Sequence, residues 1–243
     1  DFAKTYNQIM NSLGIMSETK MSTGGELLEG QLLSKLLLDN ISENKYDAIK
    51  NHAVVVNNSL RFGGAERQVV RCLSSDAFSK SLVVWNYRVN TSNNSFIDEV
   101  NSLELKIHDY SLPLTPSPMV FTPEIEKLLS LIPNTSPLNP GMTNKIRNLT
   151  AILLKERPYS LHLWQDTTNV LGAIAGLIAG VPRIVMSARS LPPFAIKNSS
   201  FPNKGPNYYF NNRYVRILYQ QLLKHDNVYL CHNSENGMQK YIE

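Results

Sequence analysis

From Ala53 onward the chain alternates between two rhythms, and that alternation restricts its fold more than any other feature. Short β-rich runs stand at AVVVN (53–57), SLVVWNY (81–87), LKIHDY (105–110), YSLHLW (159–164), RIVMSA (183–188) and NVYLCHN (227–233). Helical patterns separate most of them, over Ala65–Leu73, Pro123–Leu131, Met142–Glu156, Val170–Ala179 and Asn212–Leu223. Strands that are apolar throughout offer no polar face to water, so their sheet must be covered on both sides. Interleaved with helices, they predict a mainly parallel sheet. The expected fold is α/β, a Rossmann-like doubly wound sheet over residues 51–243, with a helical N-terminal arm over residues 1–50.

In that arm Leu28, Leu32, Leu36 and Ile41 recur at near-helical spacing, with Leu33 and Leu37 beside them, after a break at Gly24-Gly25. Such a stripe either packs into a core or docks a partner. With 42% hydrophobic and 18% charged residues the chain can build a core. Its net charge of +4 is mild. The basic residues neither run together nor alternate with aromatics, so no nucleic-acid partner is expected, and a loose peripheral contact with anionic lipid is the electrostatic alternative. Cys72 and Cys231 each sit in an apolar stretch and read as small buried thiols of a reducing, cytoplasmic compartment. No apolar run approaches the roughly 18 residues of a spanning helix, and no signal-peptide pattern opens the sequence. The chain reads as a piece of something longer.

In a doubly wound sheet, ligands bind beyond the carboxyl ends of the strands. Three constellations fall there. In RFGGAERQVV, Gly63 and Gly64 precede a helix whose first N–H groups are unpaired and partly positive, a place suited to a diphosphate, with Arg67 within reach. The same glycines would also serve a tight turn needing positive φ. In YSLHLWQDTTNV a strand ends at His162 and Trp164, and Gln165 and Asp166 form the turn. His162 is either a satisfied core histidine or a site group, and Asp166 either a turn residue or an acceptor for substrate hydroxyls. The small residues Gly172, Ala173, Ala175 and Gly176 are explained by close helix-on-sheet packing. In RIVMSARSLPP, Arg189 follows a strand end and is placed either to hold phosphate or sugar oxygens or to pair with a surface acid. The spacing is not G-x-G-x-x-G, and WNYR stands where a ribose-binding acid would follow the second strand, which weighs against a dinucleotide oxidoreductase or epimerase. GxxxxGK[ST] is absent, which weighs against an ATPase.

RFGGAERQVV resembles the Gly-Gly loop of retaining GT-B-type glycosyltransferases, the large family that includes bacterial lipopolysaccharide, capsule and mannosyl transferases. LHLWQDTTNVLGAIAGLIAGVPRIVMSARSLPP and CHNSENGMQKYI are similar to its strand-helix-strand segment and to its Asn-Ser helix start, and together these cover roughly residues 53–243. The resemblance implies half of a two-domain enzyme: the acceptor-side domain, facing a donor domain across a cleft. It implies a nucleotide-sugar co-substrate, no metal or other cofactor, and a cell-surface polysaccharide or glycolipid as sugar-bearing or lipid-linked acceptor. It places Gly63 and Gly64 toward the donor diphosphate and His162 near the transferred sugar; on position alone Arg67 joins the diphosphate side, Asp166 is a second catalytic candidate, and Trp164, Gln165 and Arg189 are left for substrate. The family's donor-gripping second domain has no counterpart in the sequence, so the fragment is expected to fold without catalysing. Against this reading stands a non-enzymatic binding module docking through the leucine-rich arm.

Overall fold

The computed structural model of the chain describes residues 47–85, 87, 95–111, 121–135, 140–191 and 218–242. The leucine stripe of the N-terminal arm lies outside these residues, as do most of the proline-rich loops and of the long loop after Leu191.

Six strands form one sheet: β1 (Ile49–Asn57), β2 (Ser79–Val84), β3 (Lys106–Asp109), β4 (Pro158–Trp164), β5 (Arg183–Ala188) and β6 (Val228–His232). Their order is β3-β2-β1-β4-β5-β6, and every pairing is parallel. The fold is α/β and Rossmann-like, as the alternating rhythms predict. The order reverses between β1 and β4, where Val55 pairs with His162 and Val56 with Leu163. Chains leaving β1 and β4 depart in opposite directions, which opens a crevice at their carboxyl ends.

The helices are α1 (Gly64–Leu73), α2 (Ile97–Asn101), α3 (Pro123–Thr135), α4 (Pro140–Glu156), α5 (Asp166–Ala179) and α6 (Glu235–Ile242), with residues 218–222 also helical. Val54, Val55 and Val56 are fully buried, as a central strand covered on both faces requires. Val54 and Val56 join Leu161, Leu163, Ile184 and Met186 in a core under α3, α4 and α5. Val55 faces the other way, into a core with Val69, Val70 and Leu73 of α1, Ile97 and Val100 of α2, and Trp164.

Helix α5 is buried from Thr168 to Ala179 because it is apolar on every side and lies between sheet and α4. Its glycines set that approach. A Cβ on Gly172 would stand 2.3 Å from Leu163 Cδ2, and one on Gly176 would stand 2.7 Å from Leu161 Cδ2. The helix ends at Gly180, whose φ of 80° is left-handed, and the Val181 N–H closes the turn onto the Gly176 carbonyl at 2.9 Å.

Two expectations need correction, and one helix stands where none was expected. β1 begins at Ile49, not Ala53; a register shift before Ala53 and a φ of 62° at Asn51 break the pattern there, and Ile49–Asn51 are exposed. Helix α2 is five residues long, too short to leave a periodic signal. The cysteines are both free, but Cys72 is only half-buried and Cys231 is exposed. β6 is an edge strand whose Tyr229 and Cys231 face outward, so an apolar run there does not mean burial.

Candidate functional site

The turns after β1 and β4 meet at the crevice. Asn57, the last residue of β1, is fully buried, and its Nδ2 donates to the Ser59 carbonyl at 2.7 Å, folding the loop that leads to the glycines. Neither glycine is used for a left-handed backbone. Gly63, the residue before α1, is extended at φ −164°, and Gly180 is the one glycine with positive φ among the described residues. The tight-turn explanation of the pair therefore falls.

The two glycines serve different ends. A Cβ on Gly63 would stand 2.2 Å from Glu66 Oε2, whereas one on Gly64 would meet nothing within 4 Å. Gly63 is bare because the Glu66 side chain folds back over it. Glu66 is the third helical residue of α1, where a carboxylate is favoured by the positive helix end and can reach the residue before the helix. The residue is 8% exposed, and its Oε1 accepts from Gln165 Nε2 at 2.7 Å and from Ser59 Oγ at 3.4 Å. Gly64 and Arg67 are exposed on the same turn. Arg67 leans toward Phe96, its guanidinium 5.7 Å from the ring centroid, and the 57%-exposed Phe62 packs edge-on against that ring at 4.8 Å.

Gln165 is the centre of the arrangement. It is the residue before α5, and its backbone sits at φ 73°, ψ 150°, a region that only glycine enters freely. Three bonds hold it there. Its N–H donates to the Ser187 carbonyl of β5 at 3.2 Å, its carbonyl accepts from the Asn169 N–H at 2.7 Å, and its side chain reaches Glu66. One strained residue thus joins β1–α1, β4, β5 and α5.

Beside it, Trp164 is buried, and Arg189 lies on its ring with Cζ 4.3 Å from the centroid. The Trp164 Nε1, Arg189 Nε and Asn57 Oδ1 are buried without a hydrogen-bond partner. They mark the ends of three neighbouring strands, β4, β5 and β1. Unpaired buried polar atoms are costly, and where they gather they point to groups that a ligand or another segment satisfies.

The other candidates are placed elsewhere. β4 continues past His162 to Trp164, so the histidine lies inside the strand and short of the rim. Its ring approaches Phe78, centroids 5.9 Å apart, and its Nε2 is 3.5 Å from Ser160 Oγ. Burial, then the Arg183 charge, lowers its pKa, which keeps the ring neutral. Asp166 turns to the opposite face, where its Oδ1 accepts from Tyr241 Oη at 2.6 Å and Tyr219 Oη at 2.9 Å. Burial raises its pKa, against the pull of those two hydroxyls. Asn169 Nδ2 donates to the same Tyr219 oxygen at 3.0 Å. Asp166 therefore ties the turn after β4 to residues close to and within α6. Ser234 begins α6 by accepting the Gly237 N–H on its Oγ at 3.1 Å, as the Asn-Ser pattern implies.

Of the residues singled out from sequence, Gly63, Gly64, Trp164, Gln165 and Arg189 come together at the crevice, with Arg67 on its outer edge. His162 and Asp166 do not join them. Glu66 is the residue the sequence did not single out; its place three residues after Gly63 was the available signal.

Among the described residues no helix is long and apolar enough to cross a membrane. No family model and no solved structure matches the chain. Over 169 residues the chain is 28% identical to the Vi polysaccharide biosynthesis protein VipC/TviE of Salmonella typhi, an alignment covering 62% of this chain and 28% of that protein. The chain thus spans less than a third of the length of the curated relative it matches.

Proposed function

We propose that this chain is the acceptor-side domain of a GT-B-type glycosyltransferase working in polysaccharide biosynthesis. The observation that carries the reading is the crevice itself: two turns from opposite sides of the switch point are joined by Glu66 and a strained Gln165, beside partnerless polar groups on three strand ends. The likeness to a polysaccharide biosynthesis protein agrees with it. In this reading a sugar ring lies against the rim formed by Gly64, Gln165 and the Trp164–Arg189 pair. Carbohydrate recognition suits such a rim, because a guanidinium and an amide meet a ring's hydroxyls, with Trp164 buried behind the Arg189 guanidinium. The exposed Arg67 and the open N-terminal turn of α1 face the donor diphosphate. A second domain of the full-length protein supplies the nucleotide-sugar site, and transfer needs no metal. The protein works at the cytoplasmic face of the membrane as a peripheral enzyme on a sugar or lipid-linked acceptor. His162 stiffens the end of β4 behind the rim.

A second reading keeps one specific support. The order β3-β2-β1-β4-β5-β6 is also that of dinucleotide-binding domains. Against it, β2 ends at Val84 and is followed by Trp85 under the Lys145 ammonium at 4.0 Å, not by an acid. A thermal-shift titration of the chain with NAD(H), NADP(H), UDP, GDP and UDP- and GDP-hexoses separates the two. A ligand that binds the folded state alone stabilises it by RT ln(1 + [L]/Kd), about 2.7 kcal/mol at a hundredfold excess. A shift with a nicotinamide dinucleotide overturns the transferase reading. Weak or absent shifts on the isolated chain, with hexose transfer by the full-length protein, sustain it.

A further inference from the structure

We infer that Glu66 is a positioning residue of the crevice: its buried carboxylate holds Gln165 across the switch point and so fixes the rim that meets the sugar. The inference rests on the sugar-transfer reading above for its functional half, and on geometry alone for its structural half.

Four observations converge on it. The carboxylate is buried, though burying a charge is costly unless it is well bonded. Its bond to Gln165 spans 99 residues of sequence, the one side-chain link described between the β1–α1 turn and the β4–α5 turn. The chain keeps no side chain at Gly63, the one place where a Cβ would displace that carboxylate. Gln165, the donor of that bond, holds a backbone conformation that its own side chain disfavours. The helix could satisfy its first turn with an exposed acid. Turning the acid inward onto Gln165 serves the crevice instead, since strain of this kind persists only where its surroundings over-determine it. Through Ser59, which donates to the same oxygen and whose carbonyl holds Asn57, the clamp extends to the end of β1.

Glu66 touches no reacting atom in this account. It acts through Gln165, so its loss misplaces the rim by a fraction of an ångström to an ångström, which costs turnover more than affinity. Glu66→Gln keeps the shape and an acceptor oxygen for Gln165 Nε2; Glu66→Ala keeps neither.

The experiment has two arms. The first is the crystal structure of the Glu66→Ala chain, with Glu66→Gln as the variant to use if Glu66→Ala does not fold. Gln165 is expected to leave φ 73° in the alanine variant and to keep it in the glutamine variant. An unchanged Gln165 in Glu66→Ala, or a relaxed one in Glu66→Gln, overturns the clamp. The second arm measures nucleoside diphosphate release by the full-length protein from UDP- and GDP-hexoses in the presence of extracted membrane lipid. Glu66→Ala is expected to lower kcat roughly a hundredfold with KM little changed, and Glu66→Gln to recover most of it. Equal losses in both variants, or a rise in KM at constant kcat, overturn the positioning role. If the wild-type protein releases nothing from any donor, the sugar-transfer reading fails, and the first arm still decides the clamp.

Discussion

Two buried carboxylates sit at opposite ends of this sheet, and their surroundings differ in kind. Glu156, at the end of α4, reaches the amino-terminal half of the strands. Its oxygens lie 2.6 Å from Lys106 Nζ, 3.0 Å from His108 Nε2 and 3.1 Å from Ser81 Oγ, with His52 Nε2 at 3.8 Å. Burial pushes its pKa up, but the Lys106 bond, His108 and Ser81 together win and hold it below the usual value. Glu66, at the carboxyl ends, has neutral partners only and borders a strained backbone and unpaired polar atoms. The first site is compensated by charge and knits α4 to β2 and β3, although His108 Nε2, 3.0 Å from the carboxylate, is left without a hydrogen bond. The second is held at some cost to stability. An α/β sheet places its consolidated polar cluster at one edge and its incompletely satisfied one at the other, where ligands bind.

The largest expected effect breaks the compensated end. Glu156→Ala leaves two histidines and a lysine around an emptied, buried position. Removing one partner of such a cluster is expected to cost about 3 kcal/mol, read as a lower midpoint in urea unfolding. A loss below roughly 1 kcal/mol would mean that the partly exposed Lys106 contributes little beyond a surface pair.

Next comes Gly63→Ala, aimed at the other end. The new Cβ falls 2.2 Å from Glu66 Oε2, so the carboxylate must leave Gln165 or the turn must shift. About 1–3 kcal/mol of destabilisation is expected. Combined with Glu66→Ala the same substitution should cost almost nothing further, since the atom it strikes is gone. Additive losses in the double variant would show that Gly63 is bare for another reason.

Acid separates the two ends by sign. Burial depresses the His108 pKa below its ordinary 6.5, although Glu156 pulls it back up. A histidine with a depressed folded pKa binds fewer protons folded than unfolded, so its contribution is complete above 6.5 and is lost as pH falls below that value. Half-buried His162 and buried His225 add in the same direction. Glu156 continues the trend below its unfolded value of 4.5. Asp166 runs opposite: its raised carboxyl favours the folded state when protonated, and that contribution is lost as pH rises above 3.8 and through its folded pKa. The thermal midpoint should therefore fall between pH 7 and pH 5, and His108→Gln should flatten that slope, whereas Asp166→Asn, which removes a contribution of opposite sign, should not flatten it. A slope untouched by His108→Gln would assign the acid sensitivity elsewhere.

The smallest effect on stability is the sharpest on function. Gly64→Ala places its Cβ in open space at the first turn of a helix, so stability should change by less than about 1 kcal/mol, upward. If a phosphate approaches the bare backbone there, transfer by the full-length protein should fall while the midpoint holds. Unchanged transfer would remove the donor from that turn.

Most of the sheet was legible because its strands carry short apolar runs, of which Ala53–Val56 in β1 and Leu82–Val84 in β2 are buried. β5 runs from Arg183 to Ala188, as its apolar run predicts. Legibility failed where burial and pattern part company, at the bulged start of β1, the short α2 and the outward face of β6. At the candidate site the sequence marked two turns that the fold brings together, because a glycine pair before a helix and a strand ending at Trp164 ahead of Gln-Asp are local signals.

The sequence by itself determined the class of fold and the alternation that forces a covered parallel sheet. Only the tertiary structure decided which side chains meet. Glu66 and Gln165 lie 99 positions apart, and no local periodicity says that an acid in one helix's first turn will reach an amide before another. The same holds for Asp166, adjacent to Gln165 in the chain yet turned to Tyr219 and Tyr241 on the other face. Gln165 stands before α5 with its backbone at φ 73° and Asp166 opens that helix, so the two side chains leave the turn in different directions, and the strand order decides what each finds.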